Sequence, residues 1–127
     1  MCLHYLERRS NGLSKAVLER YKVFMISPEG DVQLPLFLLK GRRKVRTGVW
    51  LEAESHFTSR YNLRYRSGFH CFVNSDDAEK WGRNFVPMPK HSFMVFKIKV
   101  RGLLAVGSQS APCEVYRYMK IIGKAQL

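Results

Sequence analysis

The sequence has no long apolar run, few cysteines and few acidic residues. Its longest apolar patch, 34–39, is far shorter than the roughly 18 residues that a membrane-spanning helix needs. The apolar start Met1–Leu6 is interrupted at once by Glu7–Arg9, so we expect no secretory signal peptide. Three cysteines without a Cys-x-x-Cys pair indicate reduced thiols rather than a disulfide framework. These absences predict a cytoplasmic protein that does not bind a membrane.

Short motifs that would indicate a cofactor site or an RNA-binding module are absent as well. There is no Gly-x-x-x-x-Gly-Lys phosphate loop, no dinucleotide fingerprint and no RNA-recognition motif. His70 and Cys71 are adjacent, and adjacent residues of a strand point to opposite faces, so they are not expected to share a metal ion. We therefore expect no cofactor and no metal.

The excess of positive charge is what the sequence does have. The 127 residues carry 22 Lys and Arg against 10 Asp and Glu, a formal net charge of +12. From Lys80 onward there are nine basic residues and one acid, Glu114, which makes +8 of that total. A folded basic surface attracts phosphates, so the expected partner is a nucleotide, a nucleic acid or a host protein complex that handles one.

The basic residues near the C-terminus alternate with large apolar ones. Such a period of two predicts strands over Phe93–Arg101 and Cys113–Ile122, with apolar residues on one face and charge on the other. The first strand is expected to bury Met94, Phe96, Ile98 and Val100, and to expose Lys97, Lys99 and Arg101.

The remaining segments predict a single α+β domain over residues 1–127, with a weakly patterned segment at 1–20. Shorter strands or extended pieces are expected at Tyr21–Ile26, 36–39, Val45–Ala53 and Gly68–Val73. Helices are expected at Leu13–Arg20, capped by Ser14, and from Asn74 or Ser75 to Trp81. This order favours one mostly antiparallel sheet, or a split pair of sheets, with one or two short helices.

The segment Tyr65–Trp81 resembles a pattern found in small phage and prophage proteins of unknown role. Those proteins open with a strand like Tyr21–Phe24, pass from a Gly-Phe-His strand into an Asp-Ala helix, and end in a Gly-x-Gln loop and a Met-Lys-Ile strand. The corresponding parts here are Gly68–Phe72, Asp77-Ala78, Gly107–Gln109 and Met119–Ile121. The resemblance implies a phage-type accessory protein in the bacterial host cytosol that interferes with a host process such as defence.

The same order of parts is similar to a minimal ADP-ribosyltransferase core. Carried over by position, Glu114 stands where the catalytic glutamate of that family opens a late strand. His70 or Phe72 stands where the enzymes have Tyr or Ser, and Tyr21 and Lys22 stand where they have His or Arg. Because two of three catalytic positions depart from the family, we expect the shape of the core without its chemistry. Glu114 would then form an ion pair with a nearby base: Arg117, Lys97, Lys99 or Arg101.

Basic residues and tyrosines that lie close together in sequence are the candidates for ligand binding. The candidate phosphate-binding residues are Arg42, Arg43, Lys44, Arg46, Arg64, Arg66, Lys97, Lys99, Arg101 and Arg117. The candidate stacking residues are Tyr61, Tyr65, Tyr116 and Tyr118, whereas Trp50 and Trp81 are expected in the core.

Three functions are compatible with these residues. The favoured one is a binding module for a phosphate-bearing partner. The first alternative is an ADP-ribosyltransferase-type enzyme that uses Glu114. The second is a basic structural protein of a virion or a ribonucleoprotein.

Overall fold

Antiparallel strands make up most of the protein in its computed structural model, which describes residues 3–35, 39–54, 57–60 (58–60 by backbone alone) and 63–125. The strands are β1 Tyr5–Arg9, β2 Leu18–Ile26, β3 Val32–Gln33, β4 Trp50–Glu52, β5 Phe57–Arg60, β6 Leu63–Arg66, β7 Phe69–Phe72, β8 Ser92–Ser108 and β9 Pro112–Lys124. Within these ranges one α-helix is present, α1 Ser75–Arg83. No helix in the described part of the chain is long and apolar enough to cross a membrane.

Seven of the strands form one sheet that closes on itself. Its order is β1-β8-β2-β7-β9-β4, with β3 paired to β2 and a further pairing between β8 and β9. The pairings β8–β2, β2–β7, β7–β9 and β9–β8 therefore make a ring of four strands. Closure leaves fewer unpaired strand edges. The hairpin β5–β6 is a separate two-stranded sheet.

Strand β8 closes the ring because it pairs with both β2 and β9, and it contains a glycine of positive φ, Gly102. Its first half pairs with β2, from Leu18 opposite Val100, and its length from Phe96 to Ser108 pairs with β9. Gly102 has a φ of +75°, and a Cβ there would lie 2.8 Å from the backbone oxygen of Gly12. Only glycine fits both the conformation and the close approach of the segment 10–17.

Alternation along the ring strands divides the core into two clusters. The outer cluster includes Ala78 of α1 and Val95 of β8, and Trp81 packs against it. The inner cluster is enclosed by the ring: Phe24, Phe69, Cys71, Phe96, Ile98, Val100, Tyr116, Met119 and Ile121, together with Leu34 and Val45. Each ring strand contributes to both clusters, so its two faces are constrained by packing.

The predicted register of β8 is confirmed. Phe96, Ile98 and Val100 are buried, and Met94 is half-buried. The alternating cations Lys97, Lys99 and Arg101, which were expected to be exposed, are half-buried. Lys97 and Lys99 are paired with β2 on one side and β9 on the other, whereas Arg101 is paired with β9. The helix predicted from Asn74 or Ser75 is also confirmed, although Asn74 caps it without a side-chain hydrogen bond.

Three of the predicted elements are wrong in type or length, and one of them is the strand expected over Phe93–Arg101, which continues to Ser108. The expected helix Leu13–Arg20 does not form, because residues 18–20 begin β2 and pair with β8 instead. Pairing along β8 thus overrides local helix propensity. The strand expected over Val45–Ala53 is limited to Trp50–Glu52, and most of the extended piece expected at 36–39 lies outside the described residues. Strand β1 was not predicted.

Candidate functional site

Glu114 lies on β9 with its carboxylate in an ion pair across the ring. Its Oε1 accepts a hydrogen bond from Arg20 Nε at 2.6 Å and another from the Tyr116 hydroxyl at 2.7 Å. The side chains of Arg20 and Glu114 are only 19% and 15% exposed. The partner is therefore Arg20 of β2, and the prediction of Arg117, Lys97, Lys99 or Arg101 is wrong because Glu114 points to the inner side of the sheet.

Burial and hydrogen bonding fix the protonation states around this carboxylate. Burial alone lowers the pKa of the Arg20 guanidinium, but the hydrogen bond and charge of Glu114 outweigh it and raise that pKa overall. Burial, with the hydrogen bond to Glu114, raises the pKa of the Tyr116 phenol. Arg20 therefore stays charged and Tyr116 stays a donor over the physiological pH range.

A cleft of about 390 Å³ opens beside the ion pair. Its lining is mixed in charge and includes the described residues Arg8, Ser10, Ser14, Ala16, Leu18, Arg20, Gly102, Leu103, Glu114 and Tyr116. Two guanidinium groups and two serine hydroxyls near one carboxylate could hold a small molecule that has an anionic group and hydroxyls. Chemically, a carboxylate in this position could stabilise a developing positive charge.

Lys22 and His70, two of the other residues at the ADP-ribosyltransferase-like positions, belong to a buried network. Lys22 Nζ donates to the backbone oxygen of His70 at 2.6 Å, and His70 Nε2 lies 2.9 Å from the Tyr65 hydroxyl. Burial lowers the pKa of Lys22 to about 8 and holds the pKa of His70 well below its ordinary value of 6.5. Among the described lining residues of the cleft, neither His70 nor Phe72 is present.

A second candidate site lies on the outer side of the sheet, and we call it the basic face: Trp50, Lys97, Lys99, Arg101, Arg117, Tyr118 and Lys120. Two rows of residues cross the strands there. In one row Lys99 is opposite Lys120, and Lys120 is opposite Trp50. In the other row Arg101 is opposite Tyr118. Like charges directly opposite each other in a sheet repel, so the Lys99–Lys120 pair is unfavourable in the isolated protein.

Aromatic rings and guanidinium groups alternate on the basic face. Arg101 Cζ lies 5.0 Å from the centre of the Trp50 ring and 4.3 Å from that of Tyr118. Arg117 also lies over the Tyr118 ring, with its Cζ 5.1 Å from the ring centre. These cation–π contacts hold the side chains in position. Arg101 Nε is buried and has no hydrogen-bond partner among the described residues.

The acids next to the basic face neutralise it only in part. Glu19 lies opposite Lys99 in register, and its carboxylate is 3.9 Å from Lys97 Nζ. Glu52 pairs with Arg117 at 2.9 Å. Both carboxylates are more than half exposed, and exposed ion pairs of this kind are worth little. The five cations of the basic face therefore keep a net positive charge.

The other predicted phosphate-binding residues lie on different elements. Arg43 donates to the backbone oxygen of Pro35 at 3.0 Å, and Lys44 pairs with Asp31 at 3.2 Å, so the basic run 42–46 is attached to the β3 region. Arg64 lies on hairpin β5–β6, with its Cζ 4.7 Å from the Phe57 ring, and Arg66 ends the same hairpin. Of the ten predicted cations, the basic face contains Lys97, Lys99, Arg101 and Arg117.

The predicted stacking tyrosines differ in burial and position. Tyr65 and Tyr116 are only 1% and 2% exposed, so the prediction that their rings stack on a ligand is wrong. Tyr65 belongs to the outer core cluster and Tyr116 to the inner one. Tyr118 is half-buried on the basic face, and Tyr61 lies outside the described residues.

Sequence reasoning missed Arg20 beside the cleft and both Trp50 and Lys120 of the basic face, although Lys120 lies in the alternating segment Cys113–Ile122. Trp50 was expected in the core, yet 37% of it is exposed on the basic face. The alternation Trp50-Leu51-Glu52, with an acid on the same strand face as the tryptophan, was the available signal. Arg20 had no such signal, because its partner Glu114 is 94 residues away in the chain.

Comparison with known proteins provides no family assignment. The chain has no significant match among protein-family models, curated proteins or solved structures. In the described part of the chain, no group of three or more His, Cys, Asp or Glu side chains could hold a metal ion. The geometry of the two sites is therefore the basis for inferring function.

Proposed function

We propose that this protein binds a phosphate-bearing partner through the basic face. The observation that supports the proposal most directly is the row in which Lys99 and Lys120 face each other across β8 and β9, next to Arg101. A sheet that only needed solubility could place these cations apart. An arrangement that repels itself in the free protein is relieved when an anion bridges it.

The geometry also favours phosphate over a small diffuse anion. Arg101 is held between two rings, so its guanidinium is oriented before any ligand arrives. An oriented guanidinium binds phosphate oxygens with less loss of side-chain entropy than a free one. The lysines beside it add compact charges that tolerate variation in the backbone of the partner.

The salt dependence of binding tests this proposal. For a single-stranded oligonucleotide that contacts all five cations, we expect log K to fall with a slope of about −3.5 against log salt. The double variant Lys99→Ala, Lys120→Ala should reduce that slope by about 1.4. The matched control removes two exposed lysines elsewhere, by Lys80→Ala and by Lys90→Asn, which suits the φ of +64° at that position.

A control that weakens binding as much as the double variant would show that net charge alone is responsible. A flat salt dependence of the unmodified protein would remove the basic face as the binding element. The ratio of absorbance at 260 and 280 nm of the purified protein, with its mass spectrum, would identify a nucleotide or nucleic acid that is carried along.

The biological setting is part of the proposal. The resemblance to phage proteins supports an accessory protein that acts on a nucleotide, a nucleic acid or a host protein that handles one, and so interferes with a host process such as defence. Expression in a bacterial host should then alter a phosphate-dependent process, and the double variant Lys99→Ala, Lys120→Ala should not.

A second candidate function is ADP-ribosyl transfer on an ADP-ribosyltransferase-like core. It is favoured by one observation, the carboxylate of Glu114 at the wall of a cleft of about 390 Å³. Glu114→Gln is nearly isosteric and removes the charge, so an enzyme should lose roughly 10²-fold in rate. We expect no NAD cleavage by the unmodified protein, and NAD turnover that this substitution abolishes would favour the enzyme.

A further inference from the structure

The alternating rings and guanidinium groups of the basic face end in an exposed indole. The order is Arg117, Tyr118, Arg101 and Trp50, with each cation placed over a ring. The guanidinium of Arg101 covers one face of the Trp50 ring, and 37% of the residue is exposed. The exposed part of the indole can therefore accept one more flat group.

Cations stand beside the indole at the spacing of the sheet. Trp50 is opposite Lys120, and Lys120 is opposite Lys99, in one row across β4, β9 and β8. Neighbouring strands are about 4.8 Å apart, so the two lysines start about 5 and about 10 Å from Trp50. A flat group on the indole would thus have its attached phosphates within reach of both lysine side chains.

We infer that the basic face binds single-stranded nucleic acid, with one nucleobase stacked on Trp50 and the adjoining phosphates on Lys120 and Lys99. The inference rests on the proposed function, since it names the partner of the same surface. An unpaired base offers a free flat face, whereas a base in a duplex is already covered by its neighbours. Stacking on aromatic side chains combined with a cationic strip is the usual way in which single strands are bound without sequence preference.

The fluorescence of the two tryptophans can report this contact directly. In a Trp81→Phe background, Trp50 is the single tryptophan, since the sequence contains two. Addition of a 12-nucleotide oligo(dT) should quench its emission. In a Trp50→Phe background the remaining Trp81, which stacks on Phe85 at 5.3 Å, should not respond.

Affinity measurements separate the stacked base from the phosphates. Trp50→Ala should weaken oligo(dT) binding about ten-fold or more and weaken binding of inorganic polyphosphate far less, because polyphosphate has no base and Tyr118 still holds Arg101. A matched control is Phe57→Ala, which removes a ring that is 57% exposed and also lies under an arginine. This control should leave oligo(dT) binding unchanged.

The outcomes distinguish the inference from the function on which it rests. If oligo(dT) binds with the expected salt dependence but neither quenches Trp50 nor responds to Trp50→Ala, the inference is wrong and phosphate binding stands. Equal binding of a 12-base-pair duplex, insensitive to Trp50→Ala, would also overturn the inference. If neither oligo(dT) nor polyphosphate binds at low salt, the proposed function fails as well.

Discussion

Lys22 is a buried lysine whose charge should make stability depend on alkaline pH. It lies in the ring interior, and its amine donates to the backbone oxygen of His70 at 2.6 Å. Burial disfavours the charged form and lowers its pKa from the ordinary 10.5 to about 8. That difference corresponds to about 3 kcal/mol between the folded and unfolded states.

The sign follows from the number of protons that each state binds. Between pH 8 and 10.5 the unfolded chain keeps the proton on Lys22, whereas the folded protein has released it. Stability therefore rises with pH over this window, because the unfolded state binds more protons. Below pH 8 both states carry the proton, and the full cost of the buried charge remains.

Other buried groups act in the opposite direction in the same window. Burial raises the pKa of the Cys113 thiol to about 12 and raises that of Cys71 as well. Their unfolded forms lose protons from about pH 9, which lowers stability as the pH increases. The wild-type curve is thus a sum of opposing contributions, and a variant is needed to isolate Lys22.

We expect the Lys22→Met variant to lack the lysine contribution and to keep the others. The free energy of unfolding of the wild type minus that of the variant should rise by about 3 kcal/mol between pH 7 and 10.5. Urea denaturation followed by circular dichroism under reducing conditions, at intervals of half a pH unit, measures it. A constant offset, whatever its sign, does not affect the slope.

The Lys80→Met variant removes an exposed lysine and should give a flat difference curve. A flat curve for Lys22→Met would refute the assignment of a buried charge.

Three further predictions concern the register of β8, the close approach at Gly102 and acid pH. Phe96→Ala should cost about 3–5 kcal/mol in urea unfolding, whereas Lys99→Ala should change stability by less than about 0.5 kcal/mol, and the opposite ranking would contradict the register of β8. Gly102→Ala should lower the free energy of unfolding by about 1–3 kcal/mol. The loss should be larger than for Gly30→Ala, because Gly30 also has a positive φ but has no neighbouring atoms within 4 Å. Equal losses would show that the close approach at Gly102 is unimportant. Burial holds the pKa of His70 well below 6.5, so at acid pH the unfolded chain binds more protons at this residue than the folded protein does. The urea concentration at the unfolding midpoint should therefore decrease as the pH is lowered below 6.5. In a His70→Asn variant it should not decrease.

Local patterns predicted the parts of the fold in which one face is buried. The alternation from Phe93 onward identifies β8 because Phe96 and Ile98 must enter the core while Lys97 must not. The segment Leu13–Arg20 is different, because its spacing is compatible with a helix and its strand conformation is imposed by pairing with β8. Sequence periodicity carries no information about such a partner, which is about 80 residues away.

The same distinction applies to the candidate sites. The cations of β8 could be found because they alternate with core residues, and Glu114 could be found because it is the single acid after Lys80. The Arg20–Glu114 pair could not be predicted, since it exists only when β2, β7 and β9 close into a ring. Trp50 was missed because aromatic residues are usually buried, and its exposure depends on the position of β4 beside β9.

The orientation of Glu114 explains why the basic face keeps its charge. On the surface, this carboxylate could neutralise one of the lysines of β8 or β9. It instead points to the inner side of the sheet, where Arg20 and Tyr116 occupy one of its oxygens. Its charge is therefore compensated within the ring by a cation from β2. The outer side of the β8–β9 hairpin is left with lysines opposite each other and an arginine held between rings, and these are the groups for which we propose a phosphate-bearing partner.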